Sequence, residues 1–411
     1  MCELGLLGLQ SGHDTEALDA LRKASELDPF NLRVGNSLKL VQELMGFERI
    51  ESEHFIVRYQ QGPDAALATD MLPQLETMYK RVTGKGPGGI DHEPSGKTVI
   101  DLMPNQRWFA VRIAGVTRIH TMAASTGPTI AMESPSEGPG HSIGTYDWLR
   151  VVRHEFTHTV TLSRSKNRMP HWFTEAAAVY LEDSPRDYST CKLLEGALEN
   201  DGLFDFKEIN LAFVRPKRPS DRSLAYAQGH WMYQYMIERW GERAPLELMD
   251  LYGAGQREDA AFRKVLGMGT AEFLEQFKGW ASKQLVSWGM LPKAGEPTLG
   301  QILLEEAAAS EQGRAQLLEE LEEATTNSGW AAVAGGVEQG DWSPSLPKPD
   351  KAMADRWLAQ YPDHPDLLQA EVSYAVGAAG DKPGADMVPL LERYAASRPV
   401  DPLPHQLLAR I

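Results

Sequence analysis

The segment 146–163 constrains the fold more than any other stretch of this sequence. On a helical wheel its apolar side chains fall within an arc of about 80°, and they belong to Leu149, Val152, Phe156 and Val160. Three ionisable residues occupy the opposite side: His154, Glu155 and His158. The pattern predicts an amphipathic helix with one face in a core and one face of titratable groups. Three such groups turned inward would destabilise the fold unless a ligand paired them.

The three ionisable residues form the motif His-Glu-x-x-His. Residues at i and i+4 lie one turn apart on the same face of a helix, so the rings of His154 and His158 can reach a single ion. Glu155 lies at the edge of that face, where a carboxylate can take a proton from metal-bound water. The pentamer arises by chance in roughly a few per cent of chains with this many histidines, so its surroundings decide its meaning.

A second helix is expected at 170–182, because Pro170 suits the first turn of a helix. Catalytic zinc typically has three protein ligands and keeps one position for water, so a third ligand must come from outside the first helix. Glu175 is the candidate, since enough residues separate it from His158 for a turn between two antiparallel helices. The alanines that follow it would let the two helices pack closely.

Together the two segments resemble the gluzincin metallopeptidases, the clan of thermolysin-like and aminopeptidase-like enzymes. Within it they are most similar to the peptidase-MA-like domains that are often fused to tetratricopeptide repeats. The similarity covers 54–285. The residues that carry it are His154-Glu155-x-x-His158 and Trp172-Phe173-x-Glu175.

The resemblance implies that His154, His158 and Glu175 bind Zn²⁺. It implies that Glu155 activates a zinc-bound water, which hydrolyses a peptide bond of a peptide or protein substrate. One departure from the family is Ala176, which stands where glycine is common after the third ligand. Its methyl group would narrow the cleft without removing a chemical group.

The resemblance also implies a group that stabilises the oxyanion, because gluzincins supply a tyrosine or histidine from a downstream helix. The helix expected at 223–240 offers Tyr226 and His230, which share one face. Tyr226 is preferred, since similar domains place a Tyr-x-x-Gly-like segment there. An equal alternative is an aromatic stripe in a core, formed with Trp231, Tyr235 and Trp240.

Two further roles rest on the resemblance. Glu182 shares a helical face with Glu175, and relatives use a carboxylate about there to orient a ligand histidine; a solvated glutamate is the alternative. Residues 127–132 are expected to form an edge strand that takes an extended peptide by strand addition.

The pattern along the chain predicts three regions. Residues 1–48 have tetratricopeptide-like helical spacing, with a plain helical hairpin as the alternative, and should pack on the following domain or on further repeats. The metallopeptidase-like domain is expected at 49–290, and 291–411 resembles a degenerate helical repeat that offers a surface for a protein partner. Strands are expected at 54–59, 97–103 and 127–132. The fold class is therefore α+β, mainly helical, with a small sheet ahead of the helical lobe that carries the motif.

Charge and hydropathy exclude some partners. The formal net charge of −16 and the pI of about 5.2 leave no basic face for a nucleic acid. No apolar run is long enough for a transmembrane helix. Residues 1–10 lack the regions of a signal peptide and resemble the end of a helix, so a start inside a longer protein is considered and the localisation stays open. Two cysteines, Cys2 and Cys191, do not make a disulfide framework.

Two other functions stay open at this point. The first is a non-catalytic scaffold whose repeats bind a partner and whose zinc site is structural or vestigial. The second keeps the zinc and changes the substrate, since one gluzincin branch opens epoxides. Among peptidases, an endopeptidase is favoured because no motif identifies an anchor for an N-terminal amine.

Overall fold

The computed structural model describes residues 1–119, 121–138, 141, 144–184, 187–308, 315, 349–380 and 384–411. The chain divides into two compact units. Unit 1 comprises Met1–Ser184 and Met232–Gly269, and unit 2 comprises Pro185–Trp231 and Thr270–Ile411. The domain borders expected at residues 48 and 290 remain predictions.

The elements up to the second motif helix all belong to unit 1. In chain order they are α1 (Cys2–Gln10), α2 (Asp14–Leu27), α3 (Leu32–Leu44), β1 (Glu48–Glu51), β2 (Phe55–Tyr59), α4 (Asp64–Thr83), β3 (Thr98–Met103), α5 (Gln106–Ala114), β4 (Ala123–Ser125), β5 (Thr129–Glu133), α6 (Trp148–Arg164) and α7 (His171–Leu181).

The remaining elements are helical and fall in both units. They are α8 (Tyr188–Glu199), α9 (Glu208–Val214), α10 (Asp221–Trp240), α11 (Arg243–Gly253), α12 (Glu258–Leu266), α13 (Thr270–Ser287), α14 (Leu299–Ala308), α15 (Lys351–Leu358), α16 (Pro365–Ala379), a 3₁₀ turn (Ala385–Met387), α17 (Val388–Ser397) and α18 (Pro402–Leu408). The prediction of a mainly helical α+β fold with a small sheet is confirmed. Within the part of the chain that the structure describes, every helix is too short or too polar to cross a membrane.

The described strands form one five-stranded sheet in the order β1-β2-β3-β5-β4. Strand β3 pairs parallel with both β2 and β5, whereas the outer strands β1 and β4 pair antiparallel. In β2, Phe55 and Val57 point to the core while the residues between them are half-buried. Strand β5 is buried along its whole length, as a central strand covered on both faces should be.

The prediction that 127–132 forms an edge strand is wrong. Strand β5 begins at Thr129 and lies between β3 and β4, so β4 is the edge strand on this side of the sheet. The physical reason is a tight hairpin: the backbone N–H of Thr126 donates to the carbonyl of Thr129, and Gly127 has a left-handed φ of 101°. This turn folds β4 back along the outside of β5.

The N-terminal helices pack on the sheet, as the sequence predicts for a single repeat that cannot bury its own face. One apolar cluster joins the three helices to α5 and to the sheet, and includes Leu9, Leu21, Val41, Met103, Phe109 and Ala131. An ionic network lies in the same region. The fully buried Asp101 accepts hydrogen bonds from Nε of Arg58 at 2.6 Å and of Arg112 at 2.9 Å, and Arg58 also pairs with Asp14 on α2. Residues 1–48 are therefore held to the sheet by both apolar and charged contacts.

The C-terminal helices of unit 2 pack in succession, α15 on α16, α16 on α17 and α17 on α18. Their common core includes Leu368, Val372, Leu391, Tyr394 and Leu407. Within 291–411 the sequence predicts helices at 351–360, 365–377 and 385–397, and α15, α16 and α17 agree with them. Helix α18 is additional to that prediction. The kinship of these helices to tetratricopeptide repeats stays a prediction. The sequence also predicts a pair of helices over 299–325 and a loop at 326–350. Most of the second helix and most of the loop lie outside the described residues.

Candidate metal centre

Helix α6 has the two faces that its sequence predicts. The side chain of Asp147 caps its N-terminus by accepting a hydrogen bond from the backbone N–H of Arg150 at 3.0 Å. On the core face Val152, Phe156 and Val160 are fully buried. The ring of Phe156 lies 5.2 Å from that of Phe55 on β2. This packing on the sheet leaves the opposite face of α6 to the three ionisable side chains.

Helix α7 is anchored by two buried aromatic residues that precede the candidate third ligand. The indole Nε1 of Trp172 donates a hydrogen bond to Oε1 of Glu258 at 2.6 Å. The ring of Phe173 lies 5.6 Å from the rings of both Tyr233 and Tyr252. Because these contacts fix the rotation of α7, the side chain of Glu175 is directed towards α6.

The two histidines and the glutamate converge on one point. Oε2 of Glu175 lies 3.3 Å from Nε2 of His154 and 3.5 Å from Nε2 of His158. It is buried and has no hydrogen-bond partner. Zinc ligands at about 2.1 Å and tetrahedral angles would lie about 3.4 Å apart, which agrees with both distances. Two imidazole nitrogens and one carboxylate oxygen also form a typical donor set of catalytic zinc, so the residues present fit this metal.

The ring of His154 is held by a carboxylate on its other side. Its Nδ1–H donates to Oε1 of Glu182 at 2.8 Å. This is the orienting contact expected of Glu182, rather than the solvated alternative. Since the hydrogen on Nδ1 faces Glu182, the ring directs Nε2 to Glu175.

The ring of His158 is oriented by two threonine hydroxyls. Thr161 Oγ1 donates to the carbonyl oxygen of His158 at 3.2 Å and lies 2.8 Å from Thr174 Oγ1. The hydroxyl hydrogen of Thr161 is thereby used, so Thr174 donates to Thr161. Thr174 in turn accepts from Nδ1–H of His158 at 2.8 Å. This chain places the hydrogen on Nδ1 and leaves the lone pair of Nε2 for a ligand.

The sequence does not single out Thr174. It also does not single out His171, which makes a second contact with Glu175. Nε2 of His171 lies 2.9 Å from Oε1 of Glu175. The signal available for His171 was its spacing, because residues at i and i+4 share a helical face. Thr174 gave no such signal, since its role depends on how α7 rotates against α6.

The charges of the site shift two pKa values in opposite directions. Burial alone would lower the pKa of His154, but the carboxylates of Glu175 and Glu182 raise it to about 10. Burial alone would raise the pKa of Glu175, but the neighbouring imidazoles of His158 and His154 hold it well below its usual range. The imidazole of His154 and the carboxylate of Glu175 therefore favour each other's charged forms.

The proposed catalytic residues fall in different units. Glu155 is buried on α6 between the two histidines in sequence. Tyr226 and His230 lie on the part of α10 that belongs to unit 2, and both are half-buried. The ring of Tyr226 packs edge-on against Phe213 at 4.9 Å. The choice between Tyr226 and His230 as oxyanion stabiliser, and the aromatic-stripe alternative, stay open predictions.

A second group of potential metal ligands among the described residues is a weaker candidate. It consists of Glu53, His54 and Glu76. Both carboxylate oxygens of Glu76 already have hydrogen-bond partners on His54. Oε1 accepts from the backbone N–H at 2.9 Å, and Oε2 lies 2.7 Å from the ring Nδ1. Glu53 is exposed. Glu76 therefore holds His54, the residue that precedes β2.

Part of the chain matches a known protein family. Residues 141–283 match the family model of the Peptidase MA superfamily. The matched range contains both helices of the candidate metal centre, and it supports a gluzincin-like peptidase domain. No curated protein and no solved structure matches the chain.

Proposed function

We propose that this protein is a zinc-dependent metallopeptidase. In this proposal His154, His158 and Glu175 hold Zn²⁺, and Glu155 is the general base. The observation that carries the proposal is the buried Oε2 of Glu175, which has no hydrogen-bond partner and faces two imidazole nitrogens at zinc-ligand spacing. The match of 141–283 to a peptidase superfamily supports the reaction class.

The bound zinc would polarise the scissile carbonyl and lower the pKa of a water towards about 7. The residues of this chain then have separate roles. Glu155 takes the proton from the attacking water and later delivers it to the leaving amine. Glu182 and Thr174 hold the two imidazoles so that Nε2 of each is the ligand atom. Tyr226 or His230 stabilises the oxyanion.

Strand β4 is the proposed binding edge for the substrate. Among the described residues it is an outer strand of the sheet, and an extended peptide of any sequence can add to such an edge through backbone hydrogen bonds. It is also tied to the metal-binding helix, because Ser125 Oγ lies 3.2 Å from Thr159 Oγ1, the residue after His158. Because these backbone hydrogen bonds need neither a particular sequence nor a chain end, this mode of binding favours cleavage inside a chain. The helical segments at the two ends are proposed to bind a protein partner.

The proposal is tested by measuring zinc content and peptide cleavage on the wild type and on Glu155→Gln. Both proteins should contain about one zinc, since Glu155 is not a ligand. The variant should cleave a peptide library roughly 10²–10⁴-fold more slowly, because it lacks the general base. Glu247→Gln, at an exposed position of α11, is the matched control and should retain activity.

Three outcomes would contradict the proposal. A wild type that purifies without stoichiometric zinc and does not take it up would indicate the non-catalytic scaffold. A variant with wild-type turnover would remove Glu155 from the mechanism. A zinc protein that cleaves no peptide in the library but opens epoxides would change the substrate class.

A further inference from the structure

The two oxygens of the Glu175 carboxylate have different surroundings. Oε2 faces the imidazoles of His154 and His158 and has no hydrogen-bond partner. Oε1 lies 2.9 Å from Nε2 of His171, one helical turn earlier on α7. A carboxylate can only accept, so the hydrogen is on Nε2 of His171.

We propose that His171 is a positioning residue that makes Glu175 a one-oxygen ligand of the zinc. This inference rests on the proposed function. A carboxylate can bind a metal through one or both oxygens, and rotation of its terminal bond exchanges them. A charge-assisted hydrogen bond is roughly twice as strong as a neutral one, and here it holds Oε1. Oε2 is thereby left as the oxygen directed to the metal.

The position of His171 is fixed by its neighbour. Trp172 is fully buried and bonded to Glu258, so the backbone at the start of α7 is anchored. The His171 side chain itself is 43% exposed, whereas that of Glu175 is 10% exposed. Its imidazole can therefore be removed without leaving a cavity in the core.

One-oxygen binding has a chemical consequence. Catalytic zinc needs a coordination position for the water or the substrate carbonyl. A second oxygen from Glu175 would compete for that position. Loss of the His171 hydrogen bond should therefore reduce kcat more than it raises KM. It should also weaken zinc binding, because the carboxylate of Glu175 is then no longer held in one orientation.

The experiment compares the full chain as wild type, His171→Ala, His171→Gln and His405→Ala. His171→Gln keeps an N–H donor, and His405→Ala removes an exposed histidine from unit 2. Zinc affinity is measured by competition with a chromophoric chelator, and coordination by the visible spectrum of the Co²⁺-loaded protein. Melting of each chelator-treated protein checks that the fold is kept.

We expect His171→Ala to bind zinc about 10- to 100-fold more weakly and to show an altered Co²⁺ spectrum. His171→Gln should recover most of the affinity, and His405→Ala should match the wild type. Wild-type affinity and spectrum in His171→Ala would overturn the inference while leaving the proposed function intact. A wild type that binds neither metal would overturn the proposed function, and this inference with it.

Discussion

Glu182, the residue that closes α7, lies within hydrogen-bond distance of the ring of His154, at 2.8 Å from Oε1 to Nδ1. The contact joins the end of one metal-site helix to the middle of the other. It also places a negative charge next to Nδ1 of His154, and this makes Nε2 of the same ring a stronger electron-pair donor to a metal.

Removing this carboxylate should weaken zinc binding. We expect Glu182→Ala to reduce zinc affinity about 10- to 100-fold, and Glu182→Gln, which keeps an oxygen acceptor, to reduce it less. Chelator competition measures both. The control is Glu305→Gln, an exposed glutamate of α14. Unchanged affinity in Glu182→Ala would show that the contact does not support the site.

Zinc binding should release a proton from His154. The pKa of this imidazole is raised to about 10 in the metal-free protein, and a ligand must be deprotonated. Below pH 10 each bound zinc therefore displaces that proton, and the apparent zinc affinity should rise about tenfold per pH unit between roughly pH 7 and pH 9. A pH-indicator dye in weak buffer measures the released protons. An affinity that does not change over this range would contradict the raised pKa.

Glu258 should make unit 1 less stable as the pH rises. Burial raises its pKa from 4.5 to about 7, although the hydrogen bond from Trp172 opposes this. The folded state thus binds the proton more tightly than the unfolded state, so the contribution is complete below pH 4.5 and is lost as the pH approaches and passes 7. Glu258→Gln stays neutral and should be more stable than the wild type at pH 8 by roughly 3 kcal/mol.

Urea unfolding at pH 5 and pH 8 tests this difference. The wild type should lose more stability than Glu258→Gln between the two values. Glu247→Gln serves as the exposed control and should follow the wild type. Equal pH dependence of the wild type and Glu258→Gln would show that the buried carboxyl titrates normally.

The N-terminal helices should contribute to the stability of the unit that holds the metal centre. Leu21 is fully buried in the cluster that joins α2 to the sheet, whereas Leu27, on the same helix, is 79% exposed. We expect Leu21→Ala to lower the free energy of unfolding by about 2–5 kcal/mol and Leu27→Ala to change it little. Urea unfolding of the chelator-treated proteins compares them. Equal effects would mean that residues 1–48 unfold independently.

The parts of the site that the sequence predicts are those set by helical periodicity. The wheel of 146–163 separates Phe156 from His154 and His158, and the structure keeps that separation. Glu175 follows from the need for a third ligand on the next helix. These inferences need only the spacing of residues along a helix.

The parts that escaped prediction depend on how elements pack. Strand β4 has three residues, too few for an alternating pattern, so its neighbour was taken for the edge of the sheet. The hydroxyl of Thr174 and the imidazole of His171 acquire partners only when α7 has one rotation against α6. No spacing in a single chain specifies that rotation.

The hairpin between β4 and β5 is braced from two directions. Thr126 Oγ1 donates to the carbonyl of Gln10 at 2.6 Å, and Thr159 Oγ1 donates to the carbonyl of Gly127 at 2.7 Å. We expect the proposed binding edge to be ordered before substrate binds, so that most of the conformational entropy lost on binding is that of the incoming peptide. We therefore expect disordered linkers and unfolded chains to be cleaved, and compact folded domains to resist until they open locally.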